Sequence, residues 1–249
     1  MVLACVTEPG DPRLRTLLAD YTPGEVLESV RRTRAVSAWS RRLAAFDPAR
    51  VLALAERHRL RFVVPGDDEW PEALHDLDRA DPVQDSGGAP LGLWLRGRDR
   101  LADVVPRAVA IVGSRASTAY GERVAIDLAA GVAAHGITVV SGGAYGIDAA
   151  AHRGALAQHG RTIAVLAGGL DDYYPRGNAT LLGEVAERGL LVSEAAPGEH
   201  PTRRRFLTRH RLIAAMSAGT VIVEAGVRSG ARNTVTWATS CGRVVMAVP

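Results

Sequence analysis

Residues 108–148 read AVAIVGSRASTAYGERVAIDLAAGVAAHGITVVSGGAYGID. Two short runs rich in valine and isoleucine flank a stretch whose apolar residues recur at helical spacing. The segment therefore predicts a strand, a helix and a second strand. Continuous apolar strands joined by helices are typical of a parallel sheet that is covered on both faces. This stretch indicates an α/β fold.

The same alternation continues to the end of the chain. Strands are expected at 108–112, 137–140, 162–166, 190–192, 220–223 and 244–248. Helices are expected near 120–135, 148–158, 179–188, 208–217 and 233–241. The pattern predicts a Rossmann-like, doubly wound and mostly parallel sheet.

The chain before this sheet has a different organisation. Residues 1–62 show helical periodicity interrupted by the turn signals Thr22-Pro23-Gly24 and Asp47-Pro48, which predicts a small helical domain. Proline and glycine punctuate residues 61–93, which are interpreted as a connector with little regular structure. We expect three parts: a helical domain at 1–62, a connector and the start of the α/β domain at 63–107, and the Rossmann-like domain at 108–249.

Composition excludes several classes of protein. The 249 residues are 47% hydrophobic and 23% charged, which is enough apolar side chain for a packed core. The sequence has neither an apolar run long enough to span a membrane nor the pattern of a signal peptide, and its two cysteines fit a reducing compartment. We expect a soluble, cytoplasmic protein. The net charge of +3 does not by itself indicate a nucleic-acid partner.

Glycine-rich loops follow three of the expected strands. They contain Gly113-Ser114-Arg115, the Ser141–Asp148 stretch and the Gly168–Arg176 stretch. Ligands of doubly wound sheets bind at the carboxyl ends of the strands, and glycine lets backbone amides approach a phosphate. The Ser141–Asp148 loop is either a phosphate cradle or a turn that packs a strand against a helix, and the loop alone does not separate the two.

Familiar cofactor and catalytic motifs do not occur. A Walker A loop needs lysine, which the chain lacks, and the G-x-G-x-x-G spacing fails because Ala144 stands at a glycine position. There is no nucleophile elbow and no zinc spacing of cysteine or histidine. The pair Asp171-Asp172 is more typical of a solvated turn and cap than of a metal site. No cofactor, metal or catalytic residue is expected.

A basic segment at His200–Arg211 reads HPTRRRFLTRHR, with five arginines, no acid and one aromatic residue, Phe206. Guanidinium groups neutralise phosphates, and an aromatic ring among them stacks on an unpaired base, which favours single-strand binding. The alternative is an exposed basic loop without a partner.

The motifs together resemble one bacterial family, DNA-processing protein A (DprA, or Smf). The resemblance covers residues 61–249 and is carried by VAIVGSR, VVSGGAYGIDAAAH, TIAVLAGGLDxYYPRGN, LLVSE, FLTRHRLIA, VIVEAxxxSGA and VVMAVP. The helical start is similar, in pattern only, to the family's sterile-alpha-motif-like domain.

The resemblance implies a homodimer that binds single-stranded DNA without cutting it and loads the recombinase RecA during natural transformation. It implies DNA binding by Ser114, Arg115, Gly142, Gly143, Gly146, Arg176, Arg203, Phe206 and Arg209. Arg115 matches the family's glycine-serine-arginine contact. Arg203, Phe206 and Arg209 match its basic residue, stacking aromatic and arginine. Arg176 stands where the family can carry a basic residue.

The chain departs from the family pattern at several places. Leu207 replaces a usual proline, His210 a usual asparagine and Gly143 a usual leucine, which puts the backbone around Phe206 in question. The family normally continues beyond Pro249 with a further helical section and often a winged-helix domain, so a truncated form is expected.

Two other classes remain as alternatives. Rossmann-like phosphoribohydrolases share the glycine-rich sheet, but the Glu224–Thr234 segment lacks their G-T-x-x-E motif and thus the catalytic carboxylate. A nucleotide-sensing or scaffold protein would have no DNA affinity. Four apolar residues on late helices would either seal a dimer interface or lie in the core, with the core favoured: Leu212, Ile213, Met216 and Trp237.

Overall fold

A computed structural model describes residues 1–33, 37–226 and 229–249 of the chain. Its strands are β1 (Arg61–Val63), β2 (Leu93–Gly97), β3 (Ala108–Val112), β4 (Thr138–Ser141), β5 (Thr162–Val165), β6 (Leu190–Ser193), β7 (Gly219–Ile222) and β8 (Val244–Ala247). They form a single sheet in the order β1-β2-β6-β5-β4-β3-β7-β8.

Helices cover both the N-terminal part and the sheet. They are α1 (Val2–Val6), α2 (Pro12–Asp20), α3 (Pro23–Arg32), α4 (Ala38–Ala45), α5 (Pro48–Arg57), α6 (Asp76–Arg79), α7 (Leu101–Val104), α8 (Ala119–Ala134), α9 (Ile147–Ala157), α10 (Ala179–Arg188), α11 (Arg203–Thr208), α12 (His210–Ala215) and α13 (Ala231–Ser240). Short 3-10 turns occupy Glu72–His75, Val105–Arg107 and Arg176–Asn178.

The direction of the strands confirms the predicted mostly parallel, Rossmann-like sheet. All neighbours from β6 through β8 run parallel, whereas β1 and β2 join the β6 edge in antiparallel orientation. Chain order reverses between β3 and β7, since β4 lies on one side of β3 and β7 on the other. Such a switch point leaves a crevice at the carboxyl ends of the two strands.

Burial explains why the apolar runs form strands. Every residue of β4, β5 and β6 is buried, as expected for central strands with helices on both faces. The side chains on the two faces belong to separate apolar clusters, one around Leu212 and Trp237 and another around Ile111 and Ala129.

The connector contains more regular structure than the sequence predicted. β1 and β2 pair within the 61–97 region, and the rings of Phe62 and Trp94 lie 4.7 Å apart across the pair. Each strand is short and its partner lies about thirty residues away, so local pattern does not reveal the pairing. The helix predicted at 208–217 is present as α12, and a further helix that the sequence did not predict, α11, precedes it.

The N-terminal helices begin at clear capping signals. The side chains of Asp11, Thr22 and Asp47 each accept a hydrogen bond from a backbone amide of the helix that follows, and proline occupies the first turn of each of these helices. A small cluster around Val6 and Leu14 holds them together. Helices in residues 1–62 agree with the expectation, while the division into domains stays a prediction. Within the described ranges, no helix is long and apolar enough to cross a membrane.

Candidate nucleic-acid interface

A cleft of about 1010 Å³ opens at the switch point of the sheet. The loop after β3 and the segment after β7 form two of its walls, and α11, α12 and the start of α13 complete it. Among the nine predicted DNA-binding residues, five line the cleft: Ser114, Arg115, Arg203, Phe206 and Arg209. The fold therefore brings together residues that are up to 95 positions apart in the sequence.

Phe206 is the central aromatic group of the cleft. The guanidinium carbon of Arg115 lies 4.8 Å from the ring centroid, and that of Arg209 lies 5.0 Å from it. Both distances are within the range of cation–π attraction. The ring of Tyr174 lies 5.7 Å away at an angle of 59°. Phe206 is half-buried, so part of its ring surface remains open to a ligand.

Backbone hydrogen bonds fix the loop that presents Arg115. The amide of Ser114 donates to the carbonyl of Glu224 (2.7 Å), and the carbonyl of Ser114 accepts from the amide of Ile147 (3.2 Å). The hydroxyl of Ser114 donates to the carbonyl of Ala116 (2.9 Å). The exposed side chain of Arg115 therefore projects from a loop that is tied to both neighbouring segments.

Arg209 forms a buried part of the cleft wall. Its Nη1 donates to the carbonyls of Gly142 (2.6 Å) and Val165 (2.9 Å), and the residue is only 4% exposed. Burial lowers the pKa of this guanidinium to about 10, although the charge of Asp148 acts in the opposite direction. Arg209 stays protonated at neutral pH and places a fixed positive charge beside Phe206.

Asp148 is a cleft residue that the sequence did not assign to the site. Its Oδ2 accepts from the amide of Ala144 (3.3 Å), and burial raises the pKa of the carboxyl against the opposing effect of Arg209. An amide of the glycine-rich loop is thus already occupied by a carboxylate of the chain itself. This arrangement supports the packing interpretation of the loop over the phosphate cradle. An acid directly after the loop, at the start of α9, was the available signal.

The three predicted glycines are not among the residues that line the cleft. Gly146 has a φ of +72°, and a Cβ there would lie 2.3 Å from the carbonyl oxygen of Ser114. A Cβ on Gly143 would face Leu182, in the direction of α10. Their role in this structure is to let the backbone turn and approach its neighbours closely. DNA contact by Gly142, Gly143 and Gly146 stays a prediction.

Side chains from elsewhere anchor consecutive carbonyl groups of this loop. Arg209 holds the carbonyl of Gly142, as described above. Nδ2 of Asn178 donates to the carbonyls of Gly143 (3.1 Å) and Ala144 (3.0 Å). The loop is therefore attached to the 3-10 turn that carries Arg176.

The remaining predicted arginines occupy exposed positions. Arg203 begins α11 at the rim of the cleft. Arg176 lies on the 3-10 turn outside the described cleft lining, with its side chain 86% exposed and 3.8 Å from Asp172. Asp171 accepts a hydrogen bond from the amide of Gly198 (2.8 Å), which links two loops rather than capping a helix. Within the described part of the chain, no group of three potential metal ligands occurs.

Two of the five arginines of the basic segment are buried in ion pairs within the protein. They are not free to neutralise phosphates, which corrects the interpretation of the segment from sequence. Arg205 is 5% exposed and pairs with Glu8 (3.1 Å) and Glu199 (2.8 Å). Arg211 is fully buried and pairs with Glu194 (2.5 Å). Glu8 and Glu194 lie outside the segment, so the absence of acids within it was misleading.

A hydrogen-bonded chain of polar side chains forms another wall of the cleft. Nδ1 of His210 lies 3.2 Å from Oδ1 of Asn233, whose Nδ2 donates to Oε1 of Gln84 (3.2 Å). Burial and the neighbouring charge of Arg209 lower the pKa of His210 to about 3, so the imidazole is neutral at physiological pH. His210 stands where the family usually has an asparagine. In this chain it is linked through Asn233 to Gln84 of the connector.

The four apolar residues weighed as an interface belong to the core. Each of these side chains is at most 1% exposed, so the interface interpretation is wrong for all four residues: Leu212, Ile213, Met216 and Trp237.

In the segment weighed for phosphoribohydrolase chemistry, the carboxylate of Glu224 accepts hydrogen bonds from the amide and hydroxyl of Thr118 (3.0 Å each). Val227 and Arg228 of that segment lie outside the described residues.

The fold and the cleft define a class: a Rossmann-like α/β protein with a cationic cleft and a central aromatic ring at the switch point of its sheet. The family model of DNA recombination-mediator protein A matches residues 61–249. The chain belongs to this family, which confirms the resemblance drawn from its motifs.

Known relatives agree with this assignment. The chain is 48% identical over 256 residues to a Mycobacterium tuberculosis sequence described as DNA processing protein DprA; the match covers 99% of this chain and 65% of that relative. It matches the X-ray structure of DNA processing protein A from Streptococcus pneumoniae with a TM-score of 0.78 and 29% identity, covering 100% of this chain and 84% of the other. The Helicobacter pylori protein, described by its single-stranded DNA binding mode, matches with a TM-score of 0.65 and 31% identity, covering 76% and 81%.

Proposed function

We propose that the chain binds single-stranded DNA in the cleft, without sequence preference and without cutting it. Arg115, Arg203 and Arg209 attract the phosphates, and Phe206 stacks on an unpaired base. The observation that carries the proposal is the position of a half-buried aromatic ring in a cationic cleft, with the guanidinium carbons of Arg115 and Arg209 4.8 Å and 5.0 Å from the Phe206 ring centroid. A π-face flanked by cations accepts any of the four bases, since every base has a π-face.

The shape of the cleft favours a single strand over a duplex. The stacking residue lies within the cleft wall, on the six-residue helix α11, and is half-buried. Readers of duplex DNA usually insert a recognition helix into the major groove. A base reaches a half-buried ring only when it is unpaired, as it is in the ligand named for the Helicobacter pylori relative.

The same proposal extends to partners. The family is described as a recombination mediator, which supports delivery of the bound strand to the recombinase RecA, in the cytoplasm and during natural transformation. We also propose a homodimer, whose surface must be formed by residues other than the four core residues weighed above. The chain spans 65% of the Mycobacterium tuberculosis relative, so these activities concern what this part of the protein contributes.

Titration of labelled oligonucleotides tests the DNA proposal. Single strands should bind more tightly than duplexes of the same sequence. The logarithm of affinity should fall with the logarithm of salt concentration at about −0.7 per neutralised phosphate, or about −2 for three contacts. A flat salt response, or equal affinity for duplex and single strand, would contradict the proposal.

Two variants and one control locate the binding to the cleft. Phe206→Ala should weaken single-strand binding by about 1–3 kcal/mol through lost stacking. Arg115→Ala should weaken all sequences to a similar extent, because phosphate contacts carry no sequence information. Arg57→Ala removes an exposed arginine of α5, remote from the cleft lining, and should leave the affinity within experimental error.

Partner formation has its own tests. Light scattering should give about twice the 26.4 kDa of one chain if the homodimer forms. Loading should appear as faster RecA filament growth on DNA coated with single-strand-binding protein. Intact DNA binding without this acceleration would leave a DNA-binding protein without the mediator role.

A further inference from the structure

Two exposed tyrosines lie next to the cleft: Tyr174, whose ring is near that of Phe206, and Tyr145, which has no part in the contacts of the cleft. Tyr145 is 49% exposed, and Tyr174 is 50% exposed. Large aromatic groups with so much open surface are good stacking partners, because their apolar rings are already half in water.

Both tyrosines border the same short segment, which leads away from Phe206. The ring of Tyr174 lies 5.7 Å from that of Phe206. Tyr145 packs against the other end of the segment, since a Cβ built on Gly177 would lie 2.6 Å from the Tyr145 hydroxyl and 3.0 Å from its ring. Aromatic rings therefore stand at the start and at the end of the Tyr174–Gly177 segment.

The scaffold beneath these rings is fixed. Tyr145 follows Ala144, whose carbonyl is held by Asn178, and Asn178 directly follows Gly177. The loop with Tyr145 and the turn with Gly177 are thus connected both by a hydrogen bond and by ring packing. A ring presented on an anchored backbone loses little conformational freedom when a base stacks on it.

A positive charge stands between the two tyrosines. Arg176 is the third residue of the Tyr174–Gly177 segment, its side chain is 86% exposed, and its ion pair with Asp172 spans 3.8 Å at the surface. An exposed pair of this kind contributes at most about 1 kcal/mol, so the guanidinium can exchange Asp172 for a phosphate. The segment combines a cation with two rings, as single-strand binding surfaces do.

We propose that Tyr174, Arg176 and Tyr145 form a second stacking platform for the same single strand, outside the cleft. Nucleotides that leave the cleft past Phe206 stack on the two tyrosines, and Arg176 contacts the phosphate between them. The inference rests on the proposed function, because it extends the path of a strand whose first bases are in the cleft. It assigns Tyr145 and Tyr174 a role in how much DNA one chain occupies.

The test is a length series of oligothymidylates with wild type, Tyr145→Ala, Tyr145→Phe and, as a matched exposed control, Tyr21→Ala. Tyr21 is 54% exposed, lies just after α2 and is not among the residues that line the cleft. Tyr145→Ala should weaken long strands about 5- to 150-fold, the range of one lost stacked base, and leave the shortest bound strands unchanged. Tyr145→Phe and Tyr21→Ala should match wild type at every length.

Abasic sites provide a second readout that depends on stacking itself. An abasic site placed beyond the cleft-bound nucleotides should weaken binding to wild type but not to Tyr145→Ala. Equal affinities of wild type and Tyr145→Ala for all lengths and for abasic strands would overturn the platform while leaving the cleft proposal intact. Wild type that binds no oligonucleotide at any length would overturn the proposed function itself. Unchanged thermal unfolding of Tyr145→Ala verifies that the variant is folded.

Discussion

Replacing Glu8 by Gln tests whether the N-terminal helices hold the cleft in shape. The Glu8 carboxylate accepts from Arg205 Nε (3.1 Å) and Nη2 (3.3 Å), and it also accepts from Arg42. Arg205 immediately precedes Phe206 on α11 and has a side chain that is only 6% exposed. The Glu8–Arg205 pair therefore fixes the back of the helix whose front lines the cleft.

The size of the effect follows from what remains after the substitution. Removing one partner of a fully buried ion pair costs about 3–5 kcal/mol. Here Glu8 is 20% exposed, and Arg205 retains Glu199 (2.8 Å) and the carbonyl of His200 (3.0 Å). We expect Glu8→Gln to lower the free energy of unfolding by about 1–3 kcal/mol, the range of a hydrogen bond to a charged group. Single-strand affinity should fall as well, because α11 loses part of its support.

Urea unfolding at neutral pH measures the loss, with Glu28→Gln as a matched control. Glu28 pairs with Arg31 at 2.9 Å between half-exposed side chains, so its replacement should change stability by at most about 0.5 kcal/mol. A Glu8→Gln variant as stable as this control would refute the reasoning.

The pH dependence supplies an independent check. Burial acts to raise the pKa of Glu8, but the hydrogen bonds and charges of Arg205 and Arg42 outweigh it and hold the pKa below its ordinary value of 4.5. The stabilisation is therefore present above pH 4.5 and disappears as the pH falls through the lowered value in the folded state. Wild type and Glu8→Gln should approach equal stability in acid, and a constant difference would argue against a carboxylate effect.

Three further predictions concern the cleft itself. Gly146→Ala should lower the free energy of unfolding by about 1–3 kcal/mol and reduce DNA binding. The φ of +72° at Gly146 and a carbonyl oxygen 2.3 Å from the new Cβ exclude a side chain there. Urea unfolding measures the loss, with Gly183→Ala as the control because the space around Gly183 is open. Arg209→Lys should reduce DNA affinity more than Arg203→Lys in the same titration, since a lysine ammonium does not reproduce the planar guanidinium that donates from Nη1 to two carbonyls and lies over the Phe206 ring. His210 should contribute no step to the pH dependence of DNA affinity between pH 5.5 and 8, because its pKa is about 3; a step that His210→Asn abolishes would contradict this assignment.

The central sheet was predictable because its signal is local. Apolar runs such as Ala108–Val112 are largely buried, and their short length, β-branched content and flanking glycine identify them as strands. β1 and β2 escaped prediction for the opposite reason. Three residues at Arg61–Val63 become a strand only by pairing with Leu93–Gly97, and no local pattern reports a partner so distant in sequence.

The site was predictable in its exposed residues and less so in its buried ones. Arg115 and Phe206 were assigned from motifs, and the fold places the guanidinium carbon of Arg115 4.8 Å from the centroid of the Phe206 ring. The burial of Arg205 depends on Glu8, which lies 197 positions away. Asp148 carried only a weak signal, an acid at the start of α9, because its role, to occupy an amide of the glycine-rich loop, arises only when the loop after β4 folds against α9.

The anchored loop between β4 and α9 also has a kinetic consequence. Arg209 and Asn178 hold the carbonyls of Gly142, Gly143 and Ala144 from within the protein itself. A segment that is ordered beforehand needs no rearrangement after encounter, so we expect the proposed capture of a single strand to proceed as one bimolecular step. Its speed is then set by diffusion and by long-range attraction between arginines and phosphates, which rises as ionic strength falls. Releasing the loop at Asn178 would add a slow isomerisation to that step.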